Sequence, residues 1–293
     1  MRIPKFNNID QRRPAIRYEF FRGTLATLRA RLFSAALTPA LIGGAYAARR
    51  NVFEDESFAL IIIGLACAQL AVLLISDYIN FKNFPEKEPD YYILPGSPVF
   101  GSPDVKPKLT AALAAISSIF ALTILAWFSI KAGTGVLILG AAGVALGALY
   151  IFNPFRGAYF SAALISPFVG SGVYMAMTGI SLGWAYLAPA PLVWIAAAEL
   201  LTHREVYRGG RFRSSLTNTV LFLYFMAFLN INIFYYAGLY SYYSLFVSLV
   251  LLMAVFYLLR IFRFERRDPV PAVALGAIVY SVVGVLLAMT ILS

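Results

Sequence analysis

Two short segments of the sequence bring together the kinds of side chain that bind metal ions and phosphate. The first, Ser76 to Glu86, contains Asp77, Asn80 and Lys82. We call it the first polar cluster. Asp77 and Asn80 are three residues apart, so on a helix they would share a face and offer oxygen ligands to one point. Such ligands suit Mg²⁺, which often binds one or two carboxylates together with substrate phosphates, and Lys82 could pair with those phosphates.

The second polar cluster runs from His203 to Arg208, and Arg211 follows closely. Arg204 and Arg208 are four residues apart, so on a helix they would lie on one face, with Glu205 beside them. The guanidinium group matches the geometry of phosphate oxygens, and two arginines on one face therefore predict an anion-binding site.

Simpler interpretations exist for both clusters. An acid at a helix end can be capped, or paired with a neighbouring base, without binding metal. Arginines next to an apolar segment can serve only to fix its orientation in a membrane. That second interpretation does not explain Glu205, or Glu199, an acid within an apolar segment that must find a partner there.

The composition is that of a polytopic membrane protein. Of the 293 residues 60% are hydrophobic and only 13% are charged, and the mean hydropathy is +0.76. The net charge of +10 would suggest nucleic acid as a partner for a soluble protein, but in a membrane protein it reports on topology, so we expect no nucleic-acid partner. The only cysteine, Cys67, excludes a disulfide framework and a cysteine metal site.

Apolar windows of about twenty residues predict an all-α protein with nine transmembrane helices. They form a single domain over residues 32–293, after a basic cytoplasmic segment over residues 1–31. Pro189 and Pro191 are expected to interrupt the sixth helix, and Pro167 to kink the fifth. The windows are Leu32 to Ala48, Phe58 to Ile75, Leu109 to Ile130, Gly135 to Phe152, Tyr159 to Met177, Leu187 to Leu201, Leu216 to Ala237, Tyr242 to Phe262 and Val273 to Leu292.

The distribution of basic residues predicts the orientation. With a cytoplasmic amino terminus, every Lys and Arg except Arg49, Arg50 and Lys131 falls on the cytoplasmic side. Both polar clusters then face the cytoplasm, and we expect a multi-pass protein of the inner (cytoplasmic) membrane, in contact with its lipids. Five tyrosines near the seventh connection predict an aromatic belt at the outer interface, namely Tyr235, Tyr236, Tyr240, Tyr242 and Tyr243.

Nine helices with polar clusters after the second and sixth resemble the UbiA superfamily of intramembrane prenyltransferases. The likeness is greatest to the menaquinone-type branch, which prenylates dihydroxynaphthoate. Members carry Asn-Asp-Tyr-x-Asp and Lys-Gly-x-Asp after helix two, and this chain has Ser-Asp-Tyr-Ile-Asn from Ser76 and Asn-Phe-Pro-Glu from Asn83. The segment Leu201 to Arg208 takes the place of the family's Asn-Asn-x-Arg-Asp-x-x-x-Asp. Further likenesses cover Arg29 to Gly43, Gly96 to Gly101 and Leu149 to Tyr159.

The aspartate-rich motifs are degenerate. Asn80 stands where the family has aspartate, Glu86 where it has the third acid, and Glu205 and Gly209 where it has the second pair. The resemblance implies that Mg²⁺ is held by Asp77, Asn80, Glu86 and Glu205. It implies that a prenyl diphosphate is bound by Lys82, Arg204, Arg208 and Arg211, and that the catalytic residues are Asp77, Lys82, Arg204 and Glu205.

Two functions follow from this resemblance. The first is a divergent prenyltransferase that moves an isoprenyl group from its diphosphate to an aromatic or lipid-soluble acceptor, as in quinone biosynthesis. The second is an inactive UbiA-like protein that binds an isoprenoid or quinone as an accessory subunit, with a protein partner in a membrane complex. The retained Asp77, Lys82, Arg204 and Glu205 favour the enzyme, whereas the lost acids at Asn80 and Gly209 favour the accessory subunit.

Overall fold

The computed structural model describes residues 36–83, 107–152, 158–180, 183, 187–207, 214–264 and 270–293. These residues form nine α-helices and contain no strand. The described part of α1 covers residues 36–49. The other helices are α2 Asp55–Asn83, α3 Pro107–Ala132, α4 Thr134–Phe152, α5 Ala158–Thr178, α6 Ala190–Tyr207, α7 Ser214–Tyr236, α8 Ser244–Phe264 and α9 Val270–Leu292.

Each apolar window of the sequence corresponds to one of these helices, and one detail differs. The sixth helix is not interrupted, because α6 begins at Ala190 and Pro191 lies in its first turn. Proline is tolerated there, since the first amides of a helix have no partner within it. In contrast, Pro167 lies inside α5, as the sequence predicted.

Within the described residues, five helices are long and apolar enough to cross a membrane, namely Asp55–Ile75, Ala111–Ala132, Leu216–Tyr236, Ser244–Phe262 and Leu275–Leu292. Shorter apolar stretches lie in α4, α5 and α6. Large apolar side chains such as Trp127, Ile138 and Phe256 are more than 60% exposed, which would be unfavourable in water but is suitable against lipid. The chain is an integral membrane protein.

The helices pack mainly against their neighbours in the sequence, from α2 on α3 through to α8 on α9, and α6 also contacts α9. Helix α1 lies inside this arrangement. Its Gly43 meets Gly170 of α5, Gly44 faces Phe58 of α2, and Thr38 faces Gly284 of α9. Small residues allow helix backbones to approach closely in lipid, where packing rather than the hydrophobic effect stabilises helix association.

We expect Gly43→Ala to destabilise the bundle. A Cβ at position 43 would overlap the carbonyl oxygen of Gly170 and would lie 3.0 Å from Cβ of Val173, so α1 and α5 would have to separate. Overpacking of this kind costs about 1–3 kcal/mol. Thermal unfolding of the detergent-solubilised protein measures the effect. In the matched control, Gly143→Ala, the added Cβ has no described atom within 4 Å, so stability should be unchanged or higher.

Two contacts and one short connection show which ends of α2, α3, α4 and α5 lie on the same side of the bundle. Lys131, near the end of α3, donates a hydrogen bond of 2.7 Å to Glu54, just before α2, and this bond, with a further one from Ser57, lowers the pKa of Glu54. A single residue, Gly133, with φ of 100°, then connects α3 to α4. At the start of α4, Gly135 adjoins Met175 near the end of α5. The starts of α2 and α4 therefore lie beside the ends of α3 and α5.

The start of α6 lies on this same side. Tyr46, near the end of α1, donates a hydrogen bond of 3.2 Å to the carbonyl of Leu239, in the connection from α7 to α8. In the same connection, Tyr240 donates to the carbonyl of Ala188, two residues before α6. Helices α2 and α6 begin on the same side of the bundle, so both end on the opposite side. We call that side the cluster end of the bundle.

One tyrosine departs from the predicted aromatic belt. Tyr236, Tyr242 and Tyr243 are exposed, as a belt requires, but Tyr240 is only 3% exposed. Burial raises the pKa of its phenol well above the usual value, and the Ala188 carbonyl accepts its hydrogen bond. Tyr240 therefore connects helices instead of lining the membrane interface.

Candidate functional site

A cavity of about 590 Å³ lies among the first six helices and α9. Most of the lining side chains are aliphatic or absent, and the largest contributions come from α2, α3, α4 and α5. Along α2 the lining extends from Ile61 to Ile75, which corresponds to about 21 Å at 1.5 Å per residue. That length is a large part of the roughly 30 Å hydrocarbon thickness of a bilayer. The shape and lining suit a long apolar molecule.

The cavity extends towards the cluster end. Among the described side chains, the last that lines it on α2 is Ile75, two positions before Asp77, and on α6 Leu200, four positions before Arg204. One helical turn is 3.6 residues, so both polar clusters begin within about a turn of the apolar lining. Because α2 and α6 end on the same side, the two clusters follow one cavity at one end.

The helices carry several predicted site residues, although their side chains lie outside the described part of the structure. Helix α2 continues to Asn83, so Asp77 and Asn80 occupy one face of a helix, and Lys82 lies in its last turn. Arg204 and Glu205 lie in the last turn of α6. Three further predicted residues lie outside the described residues altogether, namely Glu86, Arg208 and Arg211.

The chemistry of the predicted donor set fits Mg²⁺. Asp77, Asn80, Glu86 and Glu205 supply carboxylate and amide oxygens, the ligands that this ion prefers. The described side chains alone contain no group of three His, Cys, Asp or Glu residues that could hold a metal. That search did not include the four predicted ligands, so Mg²⁺ binding remains a prediction.

A second polar group lies in the cavity wall, deeper than the clusters. The hydroxyl groups of Ser166 on α5 and Tyr280 on α9 are 3.0 Å apart, and both side chains are buried. Glu199 of α6 also lines the cavity and interacts electrostatically with Tyr280 and with Tyr224 of α7. We call Ser166, Glu199 and Tyr280 the wall triad. Sequence reasoning identified only Glu199, because a serine and a tyrosine in apolar helices carry no comparable signal.

Gly276 brings α9 close to α6 at this point. A Cβ at position 276 would lie 3.1 Å from Cγ and 3.2 Å from Cβ of Glu199. Gly276 and Tyr280 are four residues apart and therefore share a face of α9. The aliphatic part of the Glu199 side chain packs against Gly276, and its carboxyl group interacts electrostatically with Tyr280.

Comparison with known proteins gives a likeness of fold. No family model matches the chain, and no curated protein matches its sequence. A solved structure of a digeranylgeranylglyceryl phosphate synthase, studied for biosynthesis in membranes, superposes with a TM-score of 0.58. The match covers 94% of this chain and 99% of that chain at 13% identity. The two proteins share a fold.

The all-α membrane fold expected from the sequence is shared with that synthase, and membership of the UbiA superfamily remains a prediction. At 13% identity the likeness shows the fold alone. The menaquinone-type branch, nine membrane crossings and a cytoplasmic amino terminus remain predictions.

Proposed function

We propose that the protein is a divergent intramembrane prenyltransferase, which moves an isoprenyl group from a prenyl diphosphate to an aromatic or lipid acceptor. The observation that carries this proposal is the apolar cavity, which extends along α2 to the end where both polar clusters begin. An isoprenyl chain requires a long apolar site, and its diphosphate requires cations outside it. The shared fold with a membrane prenyltransferase supports the same function.

In this proposal, the side chains at the cluster end bind the diphosphate and stabilise its departure. Lys82, Arg204, Arg208 and Arg211 contact its oxygens, and charge-assisted hydrogen bonds from arginine are suited to that task. The bond between the allylic carbon and the diphosphate oxygen breaks with its electron pair on the oxygen. A new bond then forms between that carbon and the acceptor, which loses a proton.

Asp77, Asn80, Glu86 and Glu205 would hold Mg²⁺, which, when bound, offsets the negative charge that develops on the departing diphosphate. The observation that supports this assignment is that α2 and α6, which carry Asp77, Asn80 and Glu205, end on the same side of the bundle. Positioned charge of this kind, in a site that excludes water, is usually the largest contribution to catalysis.

The alternative is an accessory protein that binds an isoprenoid or a quinone without transferring it. The observation in its favour is Asn80, which stands where the family that the sequence resembles has an aspartate. An amide oxygen carries no net charge and binds Mg²⁺ more weakly than a carboxylate. In this alternative the cavity holds a resident lipid, and the polar clusters contact a partner protein.

Purified protein supplied with radiolabelled prenyl diphosphates, Mg²⁺ and acceptors distinguishes the two. The panel should contain phenolic acceptors and glycerol-based lipid acceptors, the second class suggested by the name of the structural neighbour. We expect labelled product and an equal amount of released diphosphate. If the protein forms no labelled product and releases no diphosphate, and a lipid or a partner protein stays tightly bound through purification, the enzyme is ruled out in favour of the accessory protein.

A further inference from the structure

Glu199 lies in the wall of an apolar cavity, where a carboxyl group is costly, and polar side chains of two other helices line the same cavity. Its side chain lines the apolar cavity near the end of α6. Tyr280 reaches the same stretch of wall from α9, and the hydroxyl group of Ser166 lies 3.0 Å from that of Tyr280. An acid within a membrane bundle usually marks a functional site, because a charged group is costly there.

The position of Glu199 relative to the second polar cluster is also defined. Arg204 is five residues further along α6, which corresponds to about 7.5 Å along the helix axis. A group bound at Glu199 would therefore lie inside the cavity, just below a diphosphate held at the cluster end. That is where the atom that accepts the prenyl group must be.

A carboxyl oxygen accepts hydrogen bonds whether the group is ionised or neutral. Tyr280 and Ser166 each carry a hydroxyl group that can donate or accept. The wall triad can thus pair with a hydroxyl group on a molecule whose remainder is apolar. A ligand with a hydroxyl group can gain a further hydrogen bond from this wall, which a purely hydrocarbon ligand cannot.

We propose that the wall triad of Ser166, Glu199 and Tyr280 is the binding site for the hydroxyl group of the apolar acceptor, which donates its hydrogen bond to Glu199. The ligand class is a phenol or alcohol with a long apolar chain. The inference rests on the proposed function only in naming this ligand the acceptor. Binding itself requires no transfer, so it can be tested without turnover.

The test compares a radiolabelled long-chain alkylphenol with its methyl ether, which cannot donate a hydrogen bond. Equilibrium binding is measured with the whole protein in phosphatidylcholine nanodiscs. We expect the wild type to bind the phenol about tenfold more tightly than the ether, the effect of one hydrogen bond to a charged or strongly polar group. Glu199→Leu should remove this preference and leave the affinity for the ether unchanged, which also shows that the cavity has folded.

Three further variants sharpen the result. Glu199→Gln keeps an amide oxygen and should retain part of the preference, and it replaces Glu199→Leu if that variant does not fold. Tyr280→Phe should weaken binding of the phenol more than of the ether. The matched control is Ser118→Ala, which also lines the cavity but whose hydroxyl group donates to the Ala114 carbonyl of its own helix at 2.8 Å. It should keep the full preference.

The proposal is overturned if the wild type does not distinguish the phenol from the ether, or if the preference survives in Glu199→Leu and Glu199→Gln. Its failure is separable from that of the proposed function. A protein that transfers prenyl groups but shows no Glu199-dependent preference contradicts only the wall triad. A protein that shows the preference but never transfers a prenyl group contradicts only the enzyme.

Discussion

Replacement of Asp77 by alanine is expected to lower the rate of prenyl transfer at least about 100-fold, because Asp77 would help to hold the Mg²⁺ that stabilises the developing negative charge, and loss of one such stabilising interaction typically costs that much. Asp77 is the acid that the first polar cluster retains at the family's leading position, and α2 carries it two residues past the apolar lining. The rate of diphosphate release measures the effect, because departure of the diphosphate is the step that this acid should assist.

Asp55→Ala is the matched control, because Asp55 lies in the first turn of the same helix and at the other end of the bundle. Its turnover should equal that of the wild type. Excess Mg²⁺ should partly restore Asp77→Asn, whose side chain retains one oxygen ligand, but not Asp77→Ala. If Asp77→Ala turns over at the wild-type rate, Asp77 has no catalytic role.

Replacement of Gly143 by phenylalanine is expected to shorten the prenyl chain that the protein accepts. Gly143 lines the cavity from α4, and a Cβ added there meets no described atom within 4 Å, so a larger side chain can occupy the cavity instead of displacing a helix. Each CH₂ group that loses its apolar contact costs about 0.8 kcal/mol. Displacing part of one isoprenyl unit should therefore lower kcat/KM for long substrates at least about tenfold relative to that for short ones.

The measurement is the ratio of kcat/KM for a long and a short prenyl diphosphate. Ala141→Phe provides the comparison, since Ala141 lies on the same helix, is exposed and does not line the cavity. This variant should keep the wild-type ratio. If Gly143→Phe also leaves the ratio unchanged, the prenyl chain does not occupy this cavity.

The sequence predicted the helices well because each apolar stretch is close to the length of a membrane crossing and ends at polar or glycine residues. The pairing of Asp77 with Asn80 depended on a helix that continues past Ile75, and α2 extends to Asn83. The basic residues between these stretches indicate a cytoplasmic amino terminus, and that orientation remains a prediction. The roles of Asp77 and Arg204 also remain predictions, because their side chains lie outside the described part of the chain.

Features that depend on packing between distant helices were not predictable. Ser166 and Tyr280 are 114 residues apart, and both occur in apolar stretches where a hydroxyl group can equally bond to its own helix. The cavity likewise depends on which faces of α2 to α5 meet, and the side chains of membrane helices are apolar on nearly every face. Tyr240 was expected at the interface because four other tyrosines surround it, and only the position of Ala188 shows why it is buried.

Helices α7 and α8 contribute no described residue to the cavity, although together they provide a large part of the exposed apolar surface, including Phe225, Phe246 and Phe256. Helices α7 and α8 thus face lipid without lining the cavity, whereas α3 and α4 do both. The length and side chains of α7 and α8 can therefore adapt to bilayers of different thickness, where mismatch costs fractions of a kcal/mol per Å, without altering the chemistry. In α7 and α8, adaptation to a new membrane is therefore separable from adaptation to a new substrate.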